Sequence, residues 1–106
     1  MMSLSLIQQD ANLIFTPTPA QLDWDQFISW SHELLQQLEV SNIKPTDSGA
    51  DQHMVCFHFD QCLFSLNYEG YSNSLWIAAA EPAAEQQLAL LAAHIQQRLN
   101  HHQLRI

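Results

Sequence analysis

Positive charge is what this sequence has least of. Lys44, Arg98 and Arg105 are its only cations against eleven carboxylates, and the formal charge is -8 at pH 7. A surface of that sign repels phosphate backbones and anionic lipid, so neither nucleic acid nor a membrane is expected as a partner, while basic protein surfaces stay open. Glycine is scarcer still, with Gly49 and Gly70 alone. That excludes a phosphate-cradling loop, a Gly-x-Ser-x-Gly nucleophile elbow and a dinucleotide fingerprint. Each glycine falls where a positive φ would be useful. No apolar run approaches the roughly 18 residues a membrane helix needs. The first fifteen residues, MMSLSLIQQDANLIF, lack a basic n-region and are interrupted at Gln8-Gln9-Asp10, so they do not read as a signal peptide. Two cysteines without an export signal predict free thiols in a reducing, cytoplasmic compartment.

What is present is enough for one core. The 106 residues are 47% hydrophobic and include three Trp, so residues 1–106 read as one domain that can remove roughly 65% of its unfolded surface from water.

The clearest pattern lies between His53 and Ala80. Val55, Phe57 and Phe59 alternate with Met54, Cys56 and His58, and Cys62, Phe64, Leu66 and Tyr68 alternate with Leu63, Ser65, Asn67 and Glu69. Period two means half-buried strands, here the first two of a three-strand meander. With Asp60-Gln61 as the turn, Phe59 faces Cys62, Phe57 faces Phe64, Val55 faces Leu66 and His53 faces Tyr68, all on one apolar face. A one-residue slip would set Val55 against Asn67, so the pattern selects its own register. Cys56 and Cys62 then lie on opposite faces, which rules out a disulfide between them.

Upstream, residues 3–16 predict a hairpin with Leu4, Leu6, Leu13 and Phe15 inward and the bend at residues 9–12. Asp23, with Gln26 three residues on, forms a capping box, and Leu22 and Phe27 a hydrophobic staple; the segment from Thr18 to Gln21 offers a competing start. A helix then follows to about Glu39, its stripe made of Trp24, Phe27, Ile28, Ser31, Leu34, Leu35 and Leu38, with Trp30 at the flank. Residues 40–52 read as connection with an optional edge strand at 40–44. Glu81-Pro82 opens a last helix carrying Leu88, Leu91, Ile95 and Leu99, with Ala84 and Ala92 filling in. Leu104 and Ile106 lie beyond it. The expected fold is α+β: a two-layer sandwich of about five antiparallel strands with two amphipathic helices on one face, in the order β-β-α-β-β-β-α.

Two constellations could carry chemistry. Cys56, His58 and Asp60 share a strand face at i, i+2, i+4, a spacing able to supply metal ligands, but His53 and Cys62 point the other way, so neither metal nor cofactor is expected. At the open end of the hairpin, Asp51 and His53 enter where Glu69 and Tyr71 leave; a carboxylate, an imidazole and a phenol there could bind a ligand or perform acid–base chemistry, or simply tie the turn to the loop. Cys56 lacks the positive surroundings of a thiolate nucleophile. His94, His101 and His102 sit on a helix end too poorly held to fix a metal. Trp24, Trp30 and Trp76 read as core, with Trp30 the one available as a surface anchor.

The run Gly49-Ala50-Asp51-Gln52-His53, the strand pair after it, and Asn67-Tyr68-Glu69-Gly70-Tyr71-Ser72 with Trp76 beyond resemble a small bacterial (proteobacterial) family of about hundred-residue proteins of unknown function. The resemblance covers residues 49–80. Family members carry Arg where this chain has Gln52 and a more acidic strand after Trp76, which would matter to a site needing a cation there. The resemblance implies a bacterial cytoplasmic protein and no mechanism.

The expectation is therefore a non-enzymatic protein-interaction or accessory module, self-associating or binding a protein partner, through a sheet face carrying Met54, Leu63 and Leu75, or through Trp30. The alternative is a small ligand binder or enzyme using Asp51, His53, Glu69 and Tyr71. A groove-forming secretion-type chaperone is a third reading, against which the missing N-terminal helix counts.

Overall fold

A two-residue turn without glycine sets the architecture. In the computed structural model, which describes residues 5–19 and 22–100, Asp60 and Gln61 both take left-handed φ, 51° and 66°, as a type I′ hairpin turn requires. They join β4 (Gln52–Phe59) to β5 (Cys62–Glu69). Every predicted pair is present, Phe59↔Cys62 through His53↔Tyr68, and the ladder runs on to Gln52↔Glu69. β6 (Ser74–Ala79) completes the meander against β5. β1 (Ser5–Gln9) and β2 (Asn12–Thr16) form the expected hairpin, and β2 pairs with β6.

Among the described residues the sheet has six strands rather than five, in the order β1-β2-β6-β5-β4-β3, all antiparallel. The extra strand, β3, is Asp47–Ser48, paired with Met54 and His53. Two exposed polar residues carry no alternation, so no periodicity marks them. Further along the same edge, the Lys44 amide donates to the Cys56 carbonyl and Ser41 bridges His58. Pro45, which cannot donate, interrupts that edge.

Helix α1 spans Phe27–Gln37, shorter at both ends than Asp23 to Glu39. The N-cap position falls to Gln26, without a side-chain cap bond, instead of Asp23; Asp23 holds the turn just before the helix, its carboxylate accepting the Gln26 amide at 2.8 Å and its carbonyl the Phe27 amide at 3.1 Å. Leu22 and Phe27, the staple pair, are both buried. Of the stripe, Phe27, Ser31, Leu34, Leu35 and Leu38 are buried, Trp24 is half-buried, and Ile28 is exposed. Glu39 ends the helix with φ 60°. The last helical region divides into α2 (Pro82–Glu85) and α3 (Leu88–Asn100), so the described residues hold three helices instead of two. Its bonds near the division are tight i to i+3 ones, Ala84 to Glu81 and Gln87 to Ala84, which separate a single opening turn from the helix proper.

The core forms where the helices meet one face of the sheet. Leu13, Phe15, Val55, Phe57, Phe64, Leu66, Leu75 and Ile77 supply that face, and Leu34, Leu35, Leu38, Leu88, Leu91 and Ile95 the helices. Each such side chain contributes about 1.5–3 kcal/mol, so this cluster dominates the fold. The Arg98–Glu39 ion pair, 3.3 Å long, joins a largely covered guanidinium to an exposed carboxylate and, with one partner in water, adds about 1 kcal/mol. Arg98 does more through the Gln37 carbonyl at 2.8 Å, as does His94 Nε2–H through the Leu38 carbonyl at 2.9 Å. Both occupy orphan carbonyls at the end of α1 and tie α3 to it.

Two sequence-based placements are corrected. Neither glycine has a positive φ; Asp10, Glu39, Asn42, Asp60, Gln61 and Asn73 carry the left-handed positions. Gly70 is small for another reason, since a Cβ there would lie 3.3 Å from Cε3 of Trp24. Leu75 pairs with Tyr68 on the core face and is fully buried, while Trp76 takes the opposite face beside Asn67 and Ile14. Leu4, Ala20, Gln21, His101, His102, Leu104 and Ile106, which entered the sequence argument, lie outside the described residues.

Candidate functional site

The hairpin mouth comes first, because four candidate residues were placed there. His53 lies on the core face of β4, 3% exposed. Its ring stacks on Trp24 at 3.6 Å between centroids and on Phe27 at 5.2 Å. Nε2 lies 3.0 Å from the Trp24 carbonyl oxygen, which can only accept, so Nε2 carries the hydrogen; Nδ1 then accepts from the Ser48 hydroxyl at 2.7 Å. Both nitrogens are engaged within the protein. An imidazole so held has no free lone pair to offer a substrate.

The other three residues part company. Glu69 turns to the opposite face and accepts the Tyr71 and Ser72 amides at 2.8 and 3.0 Å together with the Ser72 hydroxyl. The Ser72 hydroxyl and amide hold its carboxyl below the usual carboxylate range. Asp51 and Tyr71 line a shallow depression of about 280 Å³ with Trp24, Ala50 and Gly70. Tyr71 is 89% exposed there. Tyr68, which is buried, donates to Asn73 Oδ1 at 2.5 Å, and burial pushes its phenol up. Thus Asp51 and Tyr71 share one depression, His53 is buried against Trp24, which also lines it, and Glu69 serves the next turn.

The helix-free face of the sheet is the second region. Register places Ile7, Ile14, Trp76, Asn67 and Met54 in one row across five strands. Ile7 is 50% exposed, and Ile14, Trp76 and Met54 are half-buried. Asn67 is buried within the row: its amide donates to Ser65 Oγ at 3.0 Å and its carbonyl accepts from Gln52 at 3.2 Å. A depression of about 310 Å³ opens beside Trp76, lined by Asn12, Ile14, Glu69, Ser72 and Ser74. Leu63 shares this face but stands beyond the intervening Cys56–Ser65 pair. Trp30 belongs to the other side, half-buried on α1 against the core. Sequence reasoning misses Ile7, Ile14 and Trp76 as surface residues; Ile14 and Trp76 alternate with buried neighbours, which is the signal that finds them, whereas Ile7 is flanked only by half-buried Leu6 and exposed Gln8.

Among the described residues, no three His, Cys, Asp or Glu side chains form a set able to hold a metal. Both cysteines are free thiols. No described helix is long and apolar enough to cross a membrane. A further depression, about 450 Å³, lies between the end of α1, the β4–β5 turn and α3, where His58, Phe59, Asp60, Leu90 and His94 contribute to its wall.

A family model described as "Protein of unknown function (DUF3630)" matches residues 1–96. No curated protein and no solved structure matches the chain.

Proposed function

The chain belongs to this DUF3630 family of proteins of unknown function, and from that premise we propose that it is a non-catalytic interaction module whose open sheet face receives a basic protein partner. The observation that carries the reading is the apolar row Ile7, Ile14, Trp76 and Met54 on a face that no described element covers. Half-exposed apolar side chains aligned over several strands mark association surfaces. The hollow between Ile14 and Trp76 takes one apolar anchor, with Trp76 as the wall expected of an interface hot spot.

Charge selects the partner. Eleven carboxylates against three cations, with Glu69 on the rim of that hollow, attract a surface bearing Lys or Arg and oppose a second acidic copy laid face to face. Free thiols on β4 and β5, one on each face of the sheet, fit a reducing, bacterial cytoplasm.

The ligand-binding alternative at Asp51, His53, Glu69 and Tyr71 is less favoured, because its acid–base centre is consumed in internal hydrogen bonds. Co-purification from the source cells tests the proposal. A basic protein should be retained by the wild type and by the helix-side variant Ile28→Lys, and lost on Ile14→Lys or Met54→Lys. Equal recovery with all four proteins would refute it.

A further inference from the structure

The two edges of the sheet are protected very differently. At the β3 edge the strand is two residues long, Pro45 and Lys44 precede it, and Asn42 takes a left-handed φ of 51°. Short strands, proline, lysine and irregular backbone are the usual devices against edge-to-edge pairing. Within β1 none of them occurs, and the left-handed residue that follows it, Asp10, belongs to the turn into β2. Ser5-Leu6-Ile7-Gln8-Gln9 contains no charge, no proline and no irregular φ, and all but Leu6 are exposed. In a chain with a formal charge of -8, an uncharged five-residue strand is a place where two copies can meet without bringing carboxylates together.

We propose that β1 pairs with β1 of a second copy, antiparallel about a two-fold axis at Ile7, to make one continuous sheet. The register of the β1–β2 hairpin supports that centre. A two-residue loop, Asp10-Ala11, closes on the pair Gln9↔Asn12, which in such hairpins is hydrogen-bonded. Alternation then turns the backbone groups of Ser5, Ile7 and Gln9 toward β2, and those of Leu6 and Gln8 outward. A dyad at Ile7 sets Leu6 opposite Gln8 of the second copy, so outward N–H and C=O groups meet in four backbone hydrogen bonds. Ile7 faces Ile7 of the second copy in the closer, non-hydrogen-bonded pair, on the open face. The parity keeps both sets of helices on one side of the joined sheet, with α3, which packs over β1 and β2, beside its counterpart. The apolar row of the open face then runs unbroken through both copies. The occupant is a second copy of this chain because the edge is self-complementary: Leu6 and Gln8 exchange places across the dyad, and neither copy of β1 brings a charge to the seam.

Sedimentation equilibrium of the untagged full chain over a concentration series decides the matter. The wild type should reach twice the chain mass. Gln8→Pro removes an N–H that is free in the monomer but used twice in the dimer, so circular dichroism and thermal midpoint should stay close to wild type while the dimer dissociation constant rises at least ~30-fold. Ile7→Lys, which sets two like charges at the dyad, should give the same loss by a route that leaves the backbone unchanged. A wild type that stays monomeric throughout overturns the proposal. So does a dimer unaffected by both variants, since its contact must lie elsewhere.

Discussion

His53 is bound to Trp24 twice over, by a ring stack of 3.6 Å and by a hydrogen bond of 3.0 Å from its Nε2–H to the Trp24 carbonyl oxygen. The pair joins β4 to the entry of α1 across 29 positions of sequence. It acts as a clamp, and the Ser48 hydroxyl on Nδ1 extends the clamp to β3.

Removing that clamp should be costly. His53→Ala leaves a buried carbonyl without its donor and a cavity beside Phe27, and is expected to lower unfolding free energy by about 2–4 kcal/mol. Urea denaturation followed by tryptophan fluorescence measures it. A change below about 0.5 kcal/mol would show that the hydrogen bonds carry no structural weight.

The two glycines should respond in opposite directions to alanine. Gly49 has no positive φ and a Cβ there would meet only the Gln52 carbonyl at 3.7 Å, so Gly49→Ala should stabilise by about 0.4–1 kcal/mol through the unfolded chain. Gly70→Ala would press on Trp24 at 3.3 Å. It should destabilise and shift the fluorescence of the Trp24 ring that covers His53. Paired thermal melts separate the two cases by the sign of the change.

The β4–β5 turn is a place where the natural residue is not the best one. Gln61 holds φ 66°, a conformation in which a side chain is strained and glycine is not. Gln61→Gly should therefore raise stability by roughly 0.5–1 kcal/mol, seen as an upward shift of a few degrees in thermal midpoint. A fall in midpoint would mean that the side chain of Gln61 contributes more than its backbone strain costs.

Glu69 supplies a pH dependence with a defined sign. Its carboxyl lies below the ordinary value of 4.5 because Ser72 and Tyr71 donate to it, so its contribution is fully present above that ordinary value and is lost as pH falls through the lower, folded one. Stability measured across the acid range should show this loss in the wild type and a weaker one in Glu69→Gln. Identical acid profiles would remove the turn-capping role.

Much of this was legible in the sequence. The β4–β5 register was, because only one pairing puts Val55, Phe57, Phe64 and Leu66 together, and the α1 entry was, because Leu22, Asp23, Gln26 and Phe27 stand at capping spacing. β3 was not, since two polar residues at an edge bury nothing. The left-handed turn residues were not, because Glu39, Asp60 and Gln61 adopt that φ under tertiary constraint and no glycine marks it. The candidate site was legible only in part. Alternation already placed His53 and Glu69 on opposite faces, yet the partner that engages His53, the Trp24 carbonyl, is a backbone atom that leaves no trace in side-chain pattern. The same alternation held part of the open-face row, since Ile14 and Trp76 stand between buried neighbours, while Ile7 joins the row only through its pairing with Ile14.

Native mass spectrometry of the untagged chain purified from its own cells at low ionic strength tests the central claim most directly. The open-face account predicts an assembly containing a second, basic polypeptide, which survives in Ile28→Lys and falls apart in Ile14→Lys and Met54→Lys while circular dichroism stays unchanged. A wild-type spectrum without any second polypeptide, or an assembly that both open-face variants retain, would contradict it.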